Sequence, residues 1–437
     1  MLTSAKVLTN SPGRRAFRRV RGSRRHWRRL FLGVLLASMG RNVTLAQPTE
    51  RFLSRTSPSL PFPPPEPAKY NLKIGRLKAL LHASTQFELN DNVSLLQHGD
   101  RDVSIGPQIG IGFLWPISDV NILNMDLSGG YRWYLNHPSL STLNVSPNSH
   151  LDYRMWIKNV ALNFHDNFAI EVDPTSRPEL SGGNGNNLVN YRRVVNTSGV
   201  NASWQPARKW SMIAGYDFSL DRSISGQYTS LDHYGHNWSA GVYHVLSSRW
   251  TLGMTAAYSI TDYIERIQNN GWSWSVGPIA TFKPTKFLTF DASVSLTSQH
   301  FDHTGTINDT SEFEGVSYQA GVRHILNSRS TQYIRARRSI TPGFASNFTD
   351  ILALQYGYST KLTSAITLNT SLSYETFTTS GPVGESADRY LFYIGTHFQL
   401  TRRVLAGLGY TFSWKDSNQP GLDYQQNRLT LDLAYQF

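Results

Sequence analysis

The chain has 437 residues, with 42 Lys and Arg against 30 Asp and Glu, no cysteine, and 12% aromatic residues. That length accommodates two or three ordinary domains or one large β structure. The formal charge of +12 misleads, because residues 1–46 hold Lys6 and ten arginines and no acid; taking those eleven from 42 leaves 31 basic against 30 acidic residues. The remainder is nearly neutral and gives no reason for a nucleic-acid partner. Without cysteine there are no disulfide staples.

The first 46 residues are laid out as a signal peptide. A basic stretch runs to Arg29, the apolar run LFLGVLLASM follows at 30–39, and a small-residue cleavage point falls after Ala46. Ten apolar residues are too few to span a bilayer, which takes about 20 in a helix. RRLFLG at 28–33 resembles a twin-arginine export motif, but an arginine-rich leader serves the general secretory route equally well. Residues 47–70 contain SPSLPFPPPEPAK, a polyproline-like periplasmic linker that cannot pair into a sheet and is too short for a plug domain.

From 71 to 437 the texture is uniform. No stretch is long and apolar enough for a membrane helix, and the mean hydropathy is −0.35. Yet there are 21 Tyr and 11 Trp, which points to a secreted β protein or an outer-membrane barrel. The period-two pattern predicts about eighteen strands, from 76–89 to 422–437, with the fourth at 151–163 and the fifth at 167–173. The connections alternate in length. Short ones stand at 115–120, 164–166, 206–208, 246–249, 283–286, 326–329, 361–365 and 400–403, and mostly longer polar ones lie between them, such as 135–150 and 173–190. A soluble sandwich has no reason to keep that asymmetry, whereas bacterial barrels have short periplasmic turns and long outer loops. The expected fold is therefore all-β, an antiparallel up-and-down transmembrane β-barrel.

The faces and the aromatic residues agree with this. In 250–260 Trp250, Leu252, Met254, Ala256, Tyr258 and Ile260 alternate with Thr251, Gly253, Thr255, Ala257 and Ser259. Trp204, Trp210, Trp250, Phe282 and Phe287 flank short turns; Trp133, Trp238, Trp272, Trp274 and Trp414 stand near long loops. Two belts at headgroup level account for that placement, since an indole has an apolar ring and a polar N–H.

Three stretches carry a resemblance. YNLKIGRLKALLHASTQFELNDNV at 70–93, with its NDN at 90–92, looks like the opening of the β-barrel porin type 2 family of outer-membrane proteins. LTRRVLAGLGYTFSWKDSNQPGLDYQQNRLTLDLAYQF at 400–437 is similar to that family's last hairpin, including Asn427, and DNFAIEVDPTSRPEL at 166–180 is also similar. The resemblance implies an outer-membrane barrel, some of whose members are associated with exopolysaccharide export, so an outlet for saccharide is one implied role. Outer-membrane barrels commonly end on an aromatic residue, which makes Phe437 the expected signal to the β-barrel assembly machinery.

No catalytic, cofactor or metal site is expected. His233 with His236, and His300 with His303, make H-x-x-H pairs, but i and i+3 point to opposite faces of a strand. No G-x-S-x-G elbow occurs, and the glycines of 181–187 lack the lysine and helix of a phosphate loop. The informative polar residues fall on the wet face. An arginine facing lipid at the midplane costs ~2–4 kcal/mol, so Arg323, Arg335 and Arg337 are expected to line the pore. Asp217, Asp291, Glu375 and Asp432 should line it too, either as an acidic patch set apart from the basic one or as scattered ion pairs. The loop 173–190 could fold inward as a constriction bearing Asp173 and Glu179.

The expected function is a water-filled pore for small hydrophilic solutes or saccharide, needing no cofactor, with outer-membrane lipid around it and a homo-oligomer left open. The alternatives are a barrel enzyme acting on lipid or peptide, and a structural or adhesive barrel that works through its outer loops.

Overall fold

The computed structural model describes residues 70–171 and 192–437, apart from 225, 227 and 383. The expected leader, most of the expected linker and the expected loop at 173–190 lie outside the described residues. Among those described, no helix is long and apolar enough to cross a membrane.

The described chain opens with a short strand, β1 (Leu72–Ile74), which turns back at Gly75. The wall then runs through β2 (Leu77–Asn90), β3 (Asp102–Pro116) and β4 (Asn121–Tyr134). The next position is split into β5 (Thr142–Val145) and β6 (His150–Ile157). Both pair with β4, at residues 129–132 and 121–126 respectively, and residues 146–149 bulge between them. After these come β7 (Val160–Glu171), β8 (Arg193–Ala207), β9 (Trp210–Ser223), β10 (His233–Val245) and β11 (Trp250–Tyr263). Then follow β12 (Gly271–Thr285), β13 (Leu288–Phe301), β14 (Phe313–Asn327), β15 (Ser330–Pro342) and β16 (Phe348–Lys361). The last are β17 (Ile366–Thr379), β18 (Ser386–Gln399), β19 (Val404–Ser417) and β20 (Tyr424–Gln436).

Neighbouring strands are antiparallel, and β20 pairs back on β2 from Asn90↔Arg428 to His82↔Gln436. With β5 and β6 counted as one position and β1 as an extension, the twenty strands make a closed 18-stranded barrel. β1 lies end to end with β20 along one edge of β2. The Phe437 N–H donates to the Leu81 carbonyl at 3.2 Å. Asn71 Nδ2 donates to the same oxygen at 2.7 Å, while the Leu81 N–H donates to Asn71 Oδ1 at 3.0 Å.

Alternation fixes which face is which. In β20, Leu429, Leu431, Leu433 and Tyr435 are 38–42% exposed and face outward; Arg428, Thr430, Asp432 and Gln436 face in. A wall with its apolar side on lipid and its polar side on water can leave no backbone group unpaired in the bilayer, which is why the sheet closes. Trp204, Trp210 and Trp250 at the short-turn rim, and Trp133, Trp238, Trp272 and Trp274 toward the other rim, are all exposed. Trp414 is half-buried and stacks on Tyr390, ring centroids 5.1 Å apart.

Not every turn is at its expected place: the one expected at 283–286 closes at Lys286 and Phe287, between paired Thr285 and Leu288, and another lies farther off. The second short connection is not 164–166 but Lys158 and Asn159, between paired Ile157 and Val160. Lys158 has φ +57°, the left-handed backbone that the favoured two-residue hairpin turns use. The stretch 164–166 is mid-strand, and its polar His165 is an inward residue with a partner inside the barrel.

Candidate functional site

The inner face is not uniform around the barrel. On β10 to β13 it is built mainly of small neutral residues, including Ser239, Ser259, Ser273, Ser275, Ser293 and Thr297. Asp291 is the carboxylate among them and accepts a hydrogen bond from Thr281 Oγ1 at 2.7 Å. From β14 onward the face is charged. Arg323 stands opposite Tyr333, and Arg335 opposite Gly321, which on its other side meets Asp291. One row of directly opposed residues on β14 to β19 reads Gln319, Arg337, Ala353, Glu375, Arg389, Lys415. Arg337 and Glu375 thus stand two strands apart, roughly 10 Å by strand spacing.

Each expected carboxylate has a polar partner. Glu375 accepts from Arg389 Nε at 2.7 Å, and a second guanidinium nitrogen closes on the same oxygen. Asp217 takes His165 Nε2 at 2.6 Å across β8. Gly199 lies between them, and a Cβ there would run into the Tyr216 carbonyl and the Asp217 carboxylate. Asp432 accepts from Gln86 Nε2 at 2.9 Å. Gln86 Oε1 in turn accepts from Arg132 Nη2 at 2.6 Å, and Arg132 also reaches Glu88 at 3.5 Å. The carboxylates are therefore interleaved with cations and amides, and Glu375 shares a row with Arg337 instead of facing it across the lumen.

Several residues escaped the sequence reading. Arg389 and Lys415 are 2% and 0% exposed on the inner face, and Lys415 Nζ holds Glu385 at 2.7 Å above the Phe377 ring. Arg338 follows Arg337 directly, so by period two it faces outward. There its guanidinium grips Asp350 at 2.7 Å and donates to the Val316 carbonyl at 3.1 Å. His300 and His303, expected to diverge, both approach Glu312, at 2.9 and 3.8 Å. Among the described residues no three His, Cys, Asp or Glu side chains are grouped to hold a metal ion.

At the long-loop rim the loops lean together. Arg193, fully buried, donates Nη2 to Asp232 Oδ1 at 2.9 Å and Nη1 to the Tyr228 carbonyl at 2.9 Å, and its Nε bonds Asp221. This pins the loop 224–232, and burial pushes the Tyr228 phenol up to about 12. The Tyr228 ring meets Phe344, of the loop 343–347, at 6.0 Å. Gln268, of the loop 264–270, donates to the Phe344 carbonyl at 3.0 Å. Asn269 Nδ2 donates to Asn347 Oδ1 at 2.8 Å and to the carbonyl of Asp309, in the loop 302–312, at 2.9 Å. On another side the loop 91–101 folds onto β20, where Gln426 Nε2 donates to the Asn92 carbonyl at 2.7 Å and Leu95 packs on Tyr424. The expected constriction residues Asp173 and Glu179 lie outside the described residues.

A closed 18-stranded barrel with an apolar exterior, a polar interior and one rim of short turns has the architecture of an outer-membrane barrel of the porin class. The chain belongs to the Putative beta-barrel porin 2 family, whose family model matches residues 81–437. None of the curated proteins matches it. Among solved structures it is similar to Pseudomonas aeruginosa OccK2 (OpdF) in complex with glucuronate: 11% identity, 83% of this chain and 98% of that chain covered, TM-score 0.49. It is also similar to P. aeruginosa OpdK with vanillate (10% identity, 82% and 99% covered, TM-score 0.48). A third is Acinetobacter baumannii OccAB3 (11% identity, 83% and 100% covered, TM-score 0.47).

Proposed function

We propose that the barrel is a water-filled pore for small hydrophilic solutes or saccharide, with selectivity set by the charge of the inner wall and the width of the loop-covered mouth. The observation that carries this is the inner face itself. It is hydroxyl-rich on β10 to β13 and charged from β14 onward, and neither composition would be kept on a face packed as an apolar core. Arg323, Arg335, Arg337, Asp217, Asp291, Glu375 and Asp432 are the proposed pore-lining charges. Such transport needs no cofactor and no catalytic group, and we read the protein as a channel and not an enzyme.

Purified protein in planar bilayers is expected to give discrete conductance steps. Neutral polymers small enough to enter should lower them, while larger ones should not. A silent bilayer would overturn the pore and favour a barrel enzyme or a structural barrel.

Residues 1–46 act in this reading as the signal peptide, and 47–70 as a periplasmic linker. Phe437 serves as the signal to the assembly machinery, and it also completes pairing at the Leu81 carbonyl. Deleting Phe437 is expected to lower the amount of barrel inserted in outer membranes without changing the conductance of what does insert. Wild-type insertion, measured by the heat-modifiable band in membrane fractions, would remove that role.

A further inference from the structure

Long loops in an up-and-down barrel join neighbouring strands, so a loop that stays on its own rim meets only its neighbours. Here the loop 224–232 follows β9 and the loop 343–347 follows β15, yet Tyr228 and Phe344 are in ring contact at 6.0 Å. Six wall positions separate these loops, a third of the circumference. With strands about 4.8 Å apart and tilted about 40°, their roots stand roughly 30 Å apart across the mouth. The loops must therefore reach inward to meet.

The joint of this cap is Asp309, 1% exposed. Its Oδ2 accepts the Asn347 N–H at 2.7 Å and the Ser380 hydroxyl at 2.5 Å, and its Oδ1 accepts the Ser311 N–H at 2.9 Å. Its carbonyl accepts Asn269 Nδ2 at 2.9 Å and Asn347 Nδ2 at 3.1 Å. One residue thus ties the loops 264–270, 302–312 and 343–347 to Ser380 after β17, and Gln268 and Phe344 add the loop 224–232. Bonds to an ionised carboxylate are about twice as strong as neutral ones. Burial pushes the Asp309 carboxyl up, but the bonds from Asn347, Ser380 and Ser311 outweigh it and hold the group below the usual carboxylate range. Beneath the cap, Thr261, Tyr263, Gln299 and Phe301 of the inner wall line one recess together with Asn269 and Asn347, so the cap overhangs the lumen.

We propose that Asp309 is the positioning residue that holds this loop cap over the lumen and thereby sets the largest solute the pore admits. The assignment rests on the reading of the barrel as an open pore. A carboxylate that merely stiffened the loops would change their resistance to protease and leave the size limit alone.

The test is single-channel recording of the full-length Asp309→Asn and Asp309→Ala proteins against a size series of neutral polymers. Heat-modifiable mobility serves as the control for an intact barrel. Both variants are expected to conduct more than the wild type and to admit larger polymers, Asp309→Ala the more so. If they fail to reach the membrane, Ser380→Ala carries the same test, since it removes one donor to Asp309 and takes from the barrel strands only the bond that Ser380 Oγ accepts from the Phe348 N–H at the start of β16; its expected shift is smaller and in the same direction. A conducting wild type with variants of unchanged cut-off would overturn this role alone. A wild type that carries no current would overturn the pore, and this role with it.

Discussion

Arg193→Ala is expected to cost about 3–5 kcal/mol, the usual penalty for breaking a buried ion pair by removing one partner. The substitution strands Asp221 and Asp232, both about 5% exposed, without the cation that holds them. It also takes the guanidinium from the Tyr228 carbonyl, which keeps only local bonds such as that from the Leu231 N–H at 3.0 Å, so the loop 224–232 loses its anchor at the start of β8. Asp232 keeps its bond from the Ser223 N–H at 2.7 Å, which cannot neutralise a carboxylate. Arg193→Lys should fall between, because an ammonium restores the charge but cannot form the fork that serves Asp221, Asp232 and the carbonyl together. Urea unfolding of the refolded barrel measures this, with cleavage of the loop 224–232 by added protease as the local readout. A wild-type midpoint for Arg193→Ala would show that the cluster contributes nothing.

The second large effect concerns current. Replacing Arg335 and Arg337 together by glutamate should turn the ion preference of the channel toward cations. Both sit on the inner face of β15, where Arg337 shares its row with Glu375 and Arg335 shares its row with Asp291, so the doubly changed wall would hold four carboxylates from β13 to β17. The shift should be largest in dilute salt. The screening length is about 30 Å at 0.01 M and about 3 Å at 1 M, so at high salt the wall charge acts only on what touches it. Reversal potentials across a salt gradient read this out, and values matching the wild type at low salt would take both arginines out of the ion path.

Much of the wall was legible because period two is a local property. The faces of 250–260 and 429–437 follow from which neighbour is apolar, and the rims follow from loop length. The second turn is hidden in the sequence because His165 and Asp166 are polar and mimic one. A turn at Lys158 and Asn159 leaves little trace beyond an asparagine, while His165 is polar because it faces Asp217, 52 residues on. Arg338 could have been read correctly from its number alone, since it cannot share a face with Arg337. The cap could not. The bonds of Asp309 run to Asn347 and Ser380, 38 and 71 residues away, through side chains no different from those of any polar loop. Contacts between loops depend on where the barrel sets their roots, and no periodicity encodes that.

The pairing of β1 with β2 bears on a hazard that every sheet carries. β20 covers β2 from Asn90 down to His82, and the Phe437 N–H reaches Leu81. Below that point the edge of β2 would show bare N–H and C=O groups at the rim, a template on which a strand of another molecule could add itself. β1 occupies that remnant, with Leu72, Lys73 and Ile74 against Ala79, Lys78 and Leu77, and the Asn71 amide bridges the step where one covering strand gives way to the other. The finished cylinder thus presents no sticky selvedge along β2, and molecules crowded side by side in one membrane are spared a route to polymerising through it.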